Sequence, residues 1–220
     1  GSQEQQATQP IIDPVEMAFD IPQLLERLNA DATYRTQFAQ VFGASPITHE
    51  QTSYALATYQ RTLVTATRNT AFEQLLRGRP QRMSDQQLYG LHVFRTKARC
   101  MNCHFGPALS DDQFHNVGLS YYGRKYEDLG RYEVTGKPED VGAFRTPSLR
   151  LVMKTGPWMH NGLFVNMDGT LAFYNMGMPR PRPNAQQAND PLFPKTSDRL
   201  KALNMDKDEL RALRSFLDTL

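Results

Sequence analysis

Apolar residues recur at helical spacing toward both ends of the chain and lose that spacing in between. Asp20 precedes IPQLLERLNA, with Pro22 in the first turn. This predicts a helix, because the aspartate accepts an orphan amide proton and proline has none to satisfy. Asp31 stands in the same way before ATYRTQFAQVF, and Gly43 follows as a stop signal. Thr48 and Gln51 form a capping box ahead of HEQTSYALATYQRTLVTA, and Asn69 opens a short helix that Gly78 closes. Ser84 and Gln87 form a second box ahead of DQQLYGLHVFRTKA. In that segment Leu88, Leu91 and Arg95 share a face, and Gly90 and Phe94, four apart, stack a small residue beside a large one. Asp206 and Glu209 start a last helix with Leu210, Leu213, Leu217 and Leu220 along one stripe.

From Gly106 to Asn204 the texture changes. GPALSD, TGKPED, RTPSLR, TGPWMHNG and MGMPRPRPNAQQANDP are punctuated by glycine and proline, which predicts long loops with short elements between them. Loops of this length in a compact domain wrap a ligand or a site, and a large buried cofactor would give such a segment a core. The organisation expected is a helical connector over residues 1–82 followed by a domain over 83–220. There is no internal repeat, and PRPRP at 179–183 is stiff but too short for a recognition motif.

Composition narrows the class. Of 220 residues, 40% are hydrophobic and 22% charged, enough for a real apolar core in a globular protein. A net charge of +2 lends no support to nucleic-acid binding, and no apolar run approaches a membrane span. The opening GSQEQQATQP reads like a stretch interior to a longer chain and carries no information about compartment. Cys100 and Cys103 are the only cysteines, which excludes a disulfide framework.

Those two cysteines lie in KARCMNCHFGP. Thiols at i and i+3 on one turn face the same way and can form thioethers to the two vinyl groups of one porphyrin, with His104 beneath the iron. A zinc site would need His104, His115 or His160 to complete it, at a spacing that matches no common pattern. A dithiol redox pair normally follows a strand, and no βαβ unit precedes Cys100. Covalent haem c is therefore the favoured reading, and it places the chain in the bacterial periplasm.

Several further stretches carry a resemblance. They are PIIDPVEM, ALATYQRTLVT, CMNCHFGPALSDDQFHNVGL, DLGRYEVTG, GAFRTPSLR, TGPWMHNGLF and LAFYNMG. In this order they resemble the C-terminal half of the bacterial di-haem cytochrome c peroxidase family, on its MauG-like branch. The resemblance implies a mostly α, cytochrome c-like haem domain with long loops and an N-terminal helical segment packed on it. Family members carry two haem domains and this chain has one CxxCH, so it is expected to be a fragment. A processed product and a natural single-haem relative are the alternatives. The second haem domain, in a missing N-terminal half or a separate chain, is then a partner, together with an electron-donor protein or a protein substrate.

The other axial ligand has candidates in His115, Met153, Met159, His160, Met167, Tyr174, Met176 and Met178. Small cytochromes c commonly use methionine, whereas methionine elsewhere fills core gaps. The resemblance points to Tyr174, fourteen residues after His160, with Met176 and Met178 as alternatives. It also implies that His160 stands near the haem without ligating it. Backbone carbonyls of Thr155 and Pro157 match positions that hold a calcium between the two haem domains, where a simple turn is the plainer reading. Arg145 or Arg150 is expected to pair with a haem propionate. His115 is expected in a supporting polar role, Trp158 in packing, and His92 and His49 in no role at the site. The implied function is storage or relay of oxidising equivalents for hydrogen-peroxide-dependent oxidation of an electron donor or a protein substrate, without peroxide cleavage by this chain alone. The alternative is a stand-alone single-haem electron carrier.

Overall fold

The computed structural model describes residues 2–44, 46–63 and 69–220. They fall into two compact units, residues 1–65 and 66–220.

The regular elements among the described residues of the first unit are helices: α1 (Gln3–Ala7), α2 (Gln9–Ile12), α3 (Ile21–Ala30), α4 (Ala32–Phe42) and α5 (His49–Thr62). The caps read from the sequence form. Asp20 accepts the Gln23 amide, Asp31 accepts those of Thr33 and Tyr34, and Thr48 and Gln51 close a reciprocal box. A further box between Ser2 and Gln5 starts α1, which packs along α5 with an ion pair between Glu4 and Arg61. Asn29 joins α3 to the segment before α5, donating to the Ile47 carbonyl (3.0 Å) and accepting its amide (2.8 Å). The expected continuation of α5 toward residue 66 falls on residues 64–68, which lie outside the described residues.

The second unit contains α6 (Ala71–Leu76), α7 (Asp85–Arg95), α8 (Tyr132–Thr135), α9 (Met167–Asn175) and α10 (Lys207–Leu217). Two three-residue strands, β1 (Phe114–Asn116) and β2 (Ala143–Arg145), pair antiparallel with His115 opposite Phe144. Alternation cannot announce strands this short, and none was expected. Helix α6 starts after Thr70 rather than Asn69, because the threonine hydroxyl takes the Glu73 amide. Both boxes foreseen for α7 and α10 are present. The middle of the chain is loop-rich as expected, with α9 its longest regular element.

Helices α7 and α10 cross at Gly90. A Cβ there would lie 1.9 Å from the Ala212 carbonyl oxygen, so only glycine lets the two backbones meet. Phe94, one turn on, packs 5.1 Å from Phe216, which is wholly buried; Phe72 of α6 meets the same ring edge-on at 5.5 Å. The Phe72 amide also donates to Thr219, and the Leu151 amide to Leu220. These contacts put α6 inside the second unit, so the boundary between compact units precedes it, whereas the sequence reading placed the division after residue 82. Met83, Met167 and Met205 are buried in this core, the gap-filling role expected of most methionines.

Gly90→Ala should destabilise the protein by about 3 kcal/mol, because the clash is with backbone and whole helices must shift. Guanidinium denaturation followed by far-ultraviolet circular dichroism measures it. A change within about 0.5 kcal/mol would mean that α7 and α10 part at little cost.

Candidate functional site

Helix α7 delivers the chain to the CxxCH. Thr96 ends the helix, its hydroxyl donating to the His92 carbonyl at 2.7 Å. Arg99 takes the left-handed conformation (φ 54°), and a single 3-10 turn spans Cys100–Asn102. The Cys100 carbonyl then accepts the amides of both Cys103 (3.2 Å) and His104 (2.8 Å), which gathers the two thiols and the imidazole on one turn.

Protonation states follow from burial. Burial pushes the Cys100 thiol up to about 12. Burial also raises Cys103, with Asp111 adding to the effect and Arg199 opposing it. A reactive dithiol or a zinc thiolate calls for the opposite shift. His104 is pushed down by burial, so its imidazole is neutral at pH 7. Its Nδ1 lies 2.9 Å from the Leu109 carbonyl oxygen, which can only accept. The proton therefore sits on Nδ1, and Nε2 keeps its lone pair for a metal. A hydrogen bond of this kind fixes the tautomer of a ligating histidine.

Tyr174 comes to this turn from about seventy residues away. Asn166 caps α9 by accepting the Gly169 amide at 2.7 Å, and Tyr174 extends the helix face that buries Thr170 and Leu171. Burial pushes its phenol up to about 12, and the thiols of Cys100 and Cys103 are near enough to push in the same direction. Asn175 secures the end of the helix: its side chain bonds both the amide (2.8 Å) and the carbonyl (3.1 Å) of Met205, and its carbonyl accepts the Leu203 amide. Of the two methionine alternatives, Met176 is 67% exposed and Met178 is buried.

Asp111 braces the other side of the turn. Its amide donates to the Cys103 carbonyl at 2.7 Å, and its nearly buried carboxylate accepts from His115 Nε2 (2.8 Å) and the Gln113 amide (3.0 Å). Burial alone would raise this carboxyl. The hydrogen bonds from His115, Gln113 and Thr146 outweigh it and hold the group at about 2. Cys103, Asp111 and His115 thus form the one metal-capable trio among the described residues, although its histidine and aspartate are bonded to each other. His160 is not part of it. That ring stacks on Phe144 with centroids 3.6 Å apart, and burial lowers its pKa against the opposing charge of Asp128.

Arg145 and Arg150, one of which is expected near a propionate, both have carboxylate partners within the chain: Arg145 pairs with Asp112 and Arg150 with Glu73, each at 2.5 Å. Thr155 and Pro157 are exposed, and Trp158 packs against the core while donating from Nε1 to the Val152 carbonyl at 2.9 Å. His92 is exposed beside Tyr89, apart from this cluster's hydrogen bonds. Arg199 was not foreseen. Its guanidinium donates to the Asn102 carbonyl at 3.1 Å and reaches the Cys103 sulfur. Asp111, Asn175 and Arg199 left no motif; only the D-x-x-x-H spacing of Asp111 and His115 hints at a pair.

The family model described as di-haem cytochrome c peroxidase matches residues 1–81. A cytochrome-c peroxidase, IdrP1, of Denitromonas iodatirespirans is 33% identical over 88% of this chain and 56% of that protein. The methylamine utilization protein MauG of Methylorubrum extorquens is 34% identical over 100% of this chain and 58% of that protein. Among solved structures, a MauG-like protein associated with microbial copper homeostasis superposes with a TM-score of 0.83 at 25% identity, covering 100% of this chain and 68% of that one. The chain thus spans little more than half the length of the curated relatives it matches.

The depressed Asp111 carboxyl makes a signed pH prediction. Its stabilising effect is complete above the ordinary value of 3.8 and is lost as pH falls through about 2. Asp111→Asn should therefore cost about 1–2 kcal/mol at pH 7, allowing for residual solvent screening, and progressively less toward pH 2. Urea titrations of parent and variant at several pH values measure the gap; a gap of constant size would remove the carboxylate as its cause.

Proposed function

Since this chain belongs to the di-haem cytochrome c peroxidase family that includes MauG, we propose that it is the C-terminal, c-type haem half of such an oxidoreductase, holding or relaying oxidising equivalents. One observation carries the reading: a neutral histidine with its tautomer fixed stands on the same turn as two protonated thiols, and the half-buried Tyr174 phenol lies near enough for those thiols to raise its pKa. Haem c, when bound, supplies an iron that exchanges single electrons.

The chain's own residues divide the work. Cys100 and Cys103 would hold the haem, each thiol adding its S–H across one vinyl group. His104 presents Nε2 to the metal while Leu109 retains the Nδ1 proton. Tyr174 would be a second ligand, and its phenol would have to lose its proton to serve as one. Phenolate is a hard anionic donor that favours the ferric state, whereas the thioether of Met178 or Met176 would favour the ferrous state. Asn175 and the Asn166 cap hold the phenol in place, and Asp111 holds the backbone of the attachment turn. Neither the Thr155 nor the Pro157 carbonyl accepts a hydrogen bond among the described residues, which leaves both free for the proposed calcium.

The complete reaction is proposed as peroxide-driven oxidation of a donor protein or a protein substrate, with peroxide cleavage assigned to a second haem domain outside this chain. Covalent attachment of this kind places the protein in the periplasm; no helix among the described residues is long and apolar enough to cross a membrane.

Expression with haem-attachment machinery should give a chain heavier by one haem, with a pyridine haemochrome of the c type. Replacing either cysteine should lose one thioether. Tyr174→Phe should change the ferric absorption spectrum and raise the midpoint potential, while Met176→Leu leaves both unaltered. An unchanged ferric spectrum in Tyr174→Phe removes the tyrosine from the iron, and a colourless chain of bare polypeptide mass removes the haem.

A further inference from the structure

Residues 75–99 carry six basic side chains and one acidic, Asp85, in a chain whose net charge is only +2. Three of the six, Arg77, Arg79 and Arg82, stand on the short loop that joins α6 to α7, and all three are exposed. None of them makes an ion pair among the described residues. Glu73, just before them on α6, is taken by Arg150 at 2.5 Å. Leu76, the last residue of α6, is 62% exposed beside the arginines.

The loop is pinned to the core at both ends. The Arg79 amide donates to the Gln74 carbonyl at 2.9 Å, and its guanidinium donates to the Gln74 side chain at 2.9 Å. A 3-10 turn spans Pro80–Arg82, and the Arg82 amide donates to the Arg79 carbonyl at 3.1 Å, which holds these two arginines one turn apart. Met83 follows at once and is buried in the core with Phe72 of α6. Three guanidinium groups and one leucine are thus carried on a fixed backbone. Helix α7 starts just beyond the loop, and its eleven residues, roughly 16 Å of helix, separate the loop from the segment that leads to CxxCH.

We propose that Leu76, Arg77, Arg79 and Arg82 form a docking patch for an anionic phospholipid surface. The guanidinium groups bond lipid phosphates, and Leu76 enters the headgroup region. Charge and shape select this occupant. A guanidinium offers paired N–H donors that match two phosphate oxygens. Each arginine is open to solvent, so the three do not enclose one phosphate; they suit many phosphates presented side by side. The exposed leucine adds the apolar side chain that a bilayer interface takes up and a soluble phosphate ester does not. The patch shares no residue with the CxxCH cluster, so it stands whether or not the haem reading holds.

Flotation of the 220-residue chain with vesicles measures the bound fraction. One set is mixed phosphatidylglycerol and phosphatidylcholine; the other is phosphatidylcholine alone. The chain should float with the anionic vesicles only, and less of it as ionic strength rises. Each arginine at an anionic surface contributes about fivefold, so Arg77→Glu/Arg79→Glu/Arg82→Glu should lower partitioning by at least about a hundredfold. Lys137→Glu/Lys154→Glu/Lys201→Glu makes the equal charge change at exposed lysines of three other segments and should leave it within about fivefold. Circular dichroism checks that each variant is folded. No flotation with the anionic vesicles, equal flotation with both sets, or equal losses in the two triple variants would overturn the patch. Release by soluble glycerol phosphate at matched phosphate concentration would reassign it to free phosphate esters and sink the membrane assignment. Retention of polyglutamate through the three arginines, without vesicle binding, would make the occupant an acidic protein and sink it equally.

Discussion

The crossing of α7 and α10 at Gly90 is the constraint on which the second unit depends. Backbone meets backbone there, so the direction in which α7 ends is set by contact with α10. Phe94 and Phe216 fill the space beside the crossing, and Phe72 closes it from α6. The CxxCH turn begins five residues beyond the end of α7. A shift of α7 would therefore move Cys100, Cys103 and His104 together, relative to the phenol that α9 carries.

The site itself rests on few strong interactions. One carbonyl fixes the His104 tautomer, one asparagine fixes the end of α9, and one nearly buried carboxylate ties the turn to β1. Each acts on a different element, which is how loops without regular structure hold three groups in register. Burial keeps the Cys100 thiol and the Tyr174 phenol in their protonated forms.

Much of this was legible in the sequence because it is local. Helix starts at Asp20, Asp31, Thr48, Ser84 and Asp206 need only a side-chain oxygen and an amide two or three residues on, and all five formed. The Gly90–Phe94 stripe was visible, though its meaning needed Ala212, which lies far along the chain. The CxxCH motif is equally local, its thiols and imidazole gathered on one turn by the Cys100 carbonyl. By contrast, Arg199 reaching Asn102 and Asn175 holding Met205 are loop contacts between distant segments, with no periodicity to betray them. The pairing of Arg145 with Asp112 likewise depends on how two loops meet. The division between units was set too late, because Phe72 belongs to a core assembled mostly from residues after it.

The shielding of Cys100 has a consequence for the newly made polypeptide. A thiol pushed up to about 12 is present as the nucleophilic anion in roughly one molecule in a hundred thousand at neutral pH. Cys100 and Cys103 would oxidise to a disulfide slowly even in an oxidising compartment, since exchange proceeds through the thiolate. Under the proposed function, the folded apoprotein would protect the Cys100 sulfur until it is alkylated, with the apolar packing around that turn lengthening its life as an acceptor.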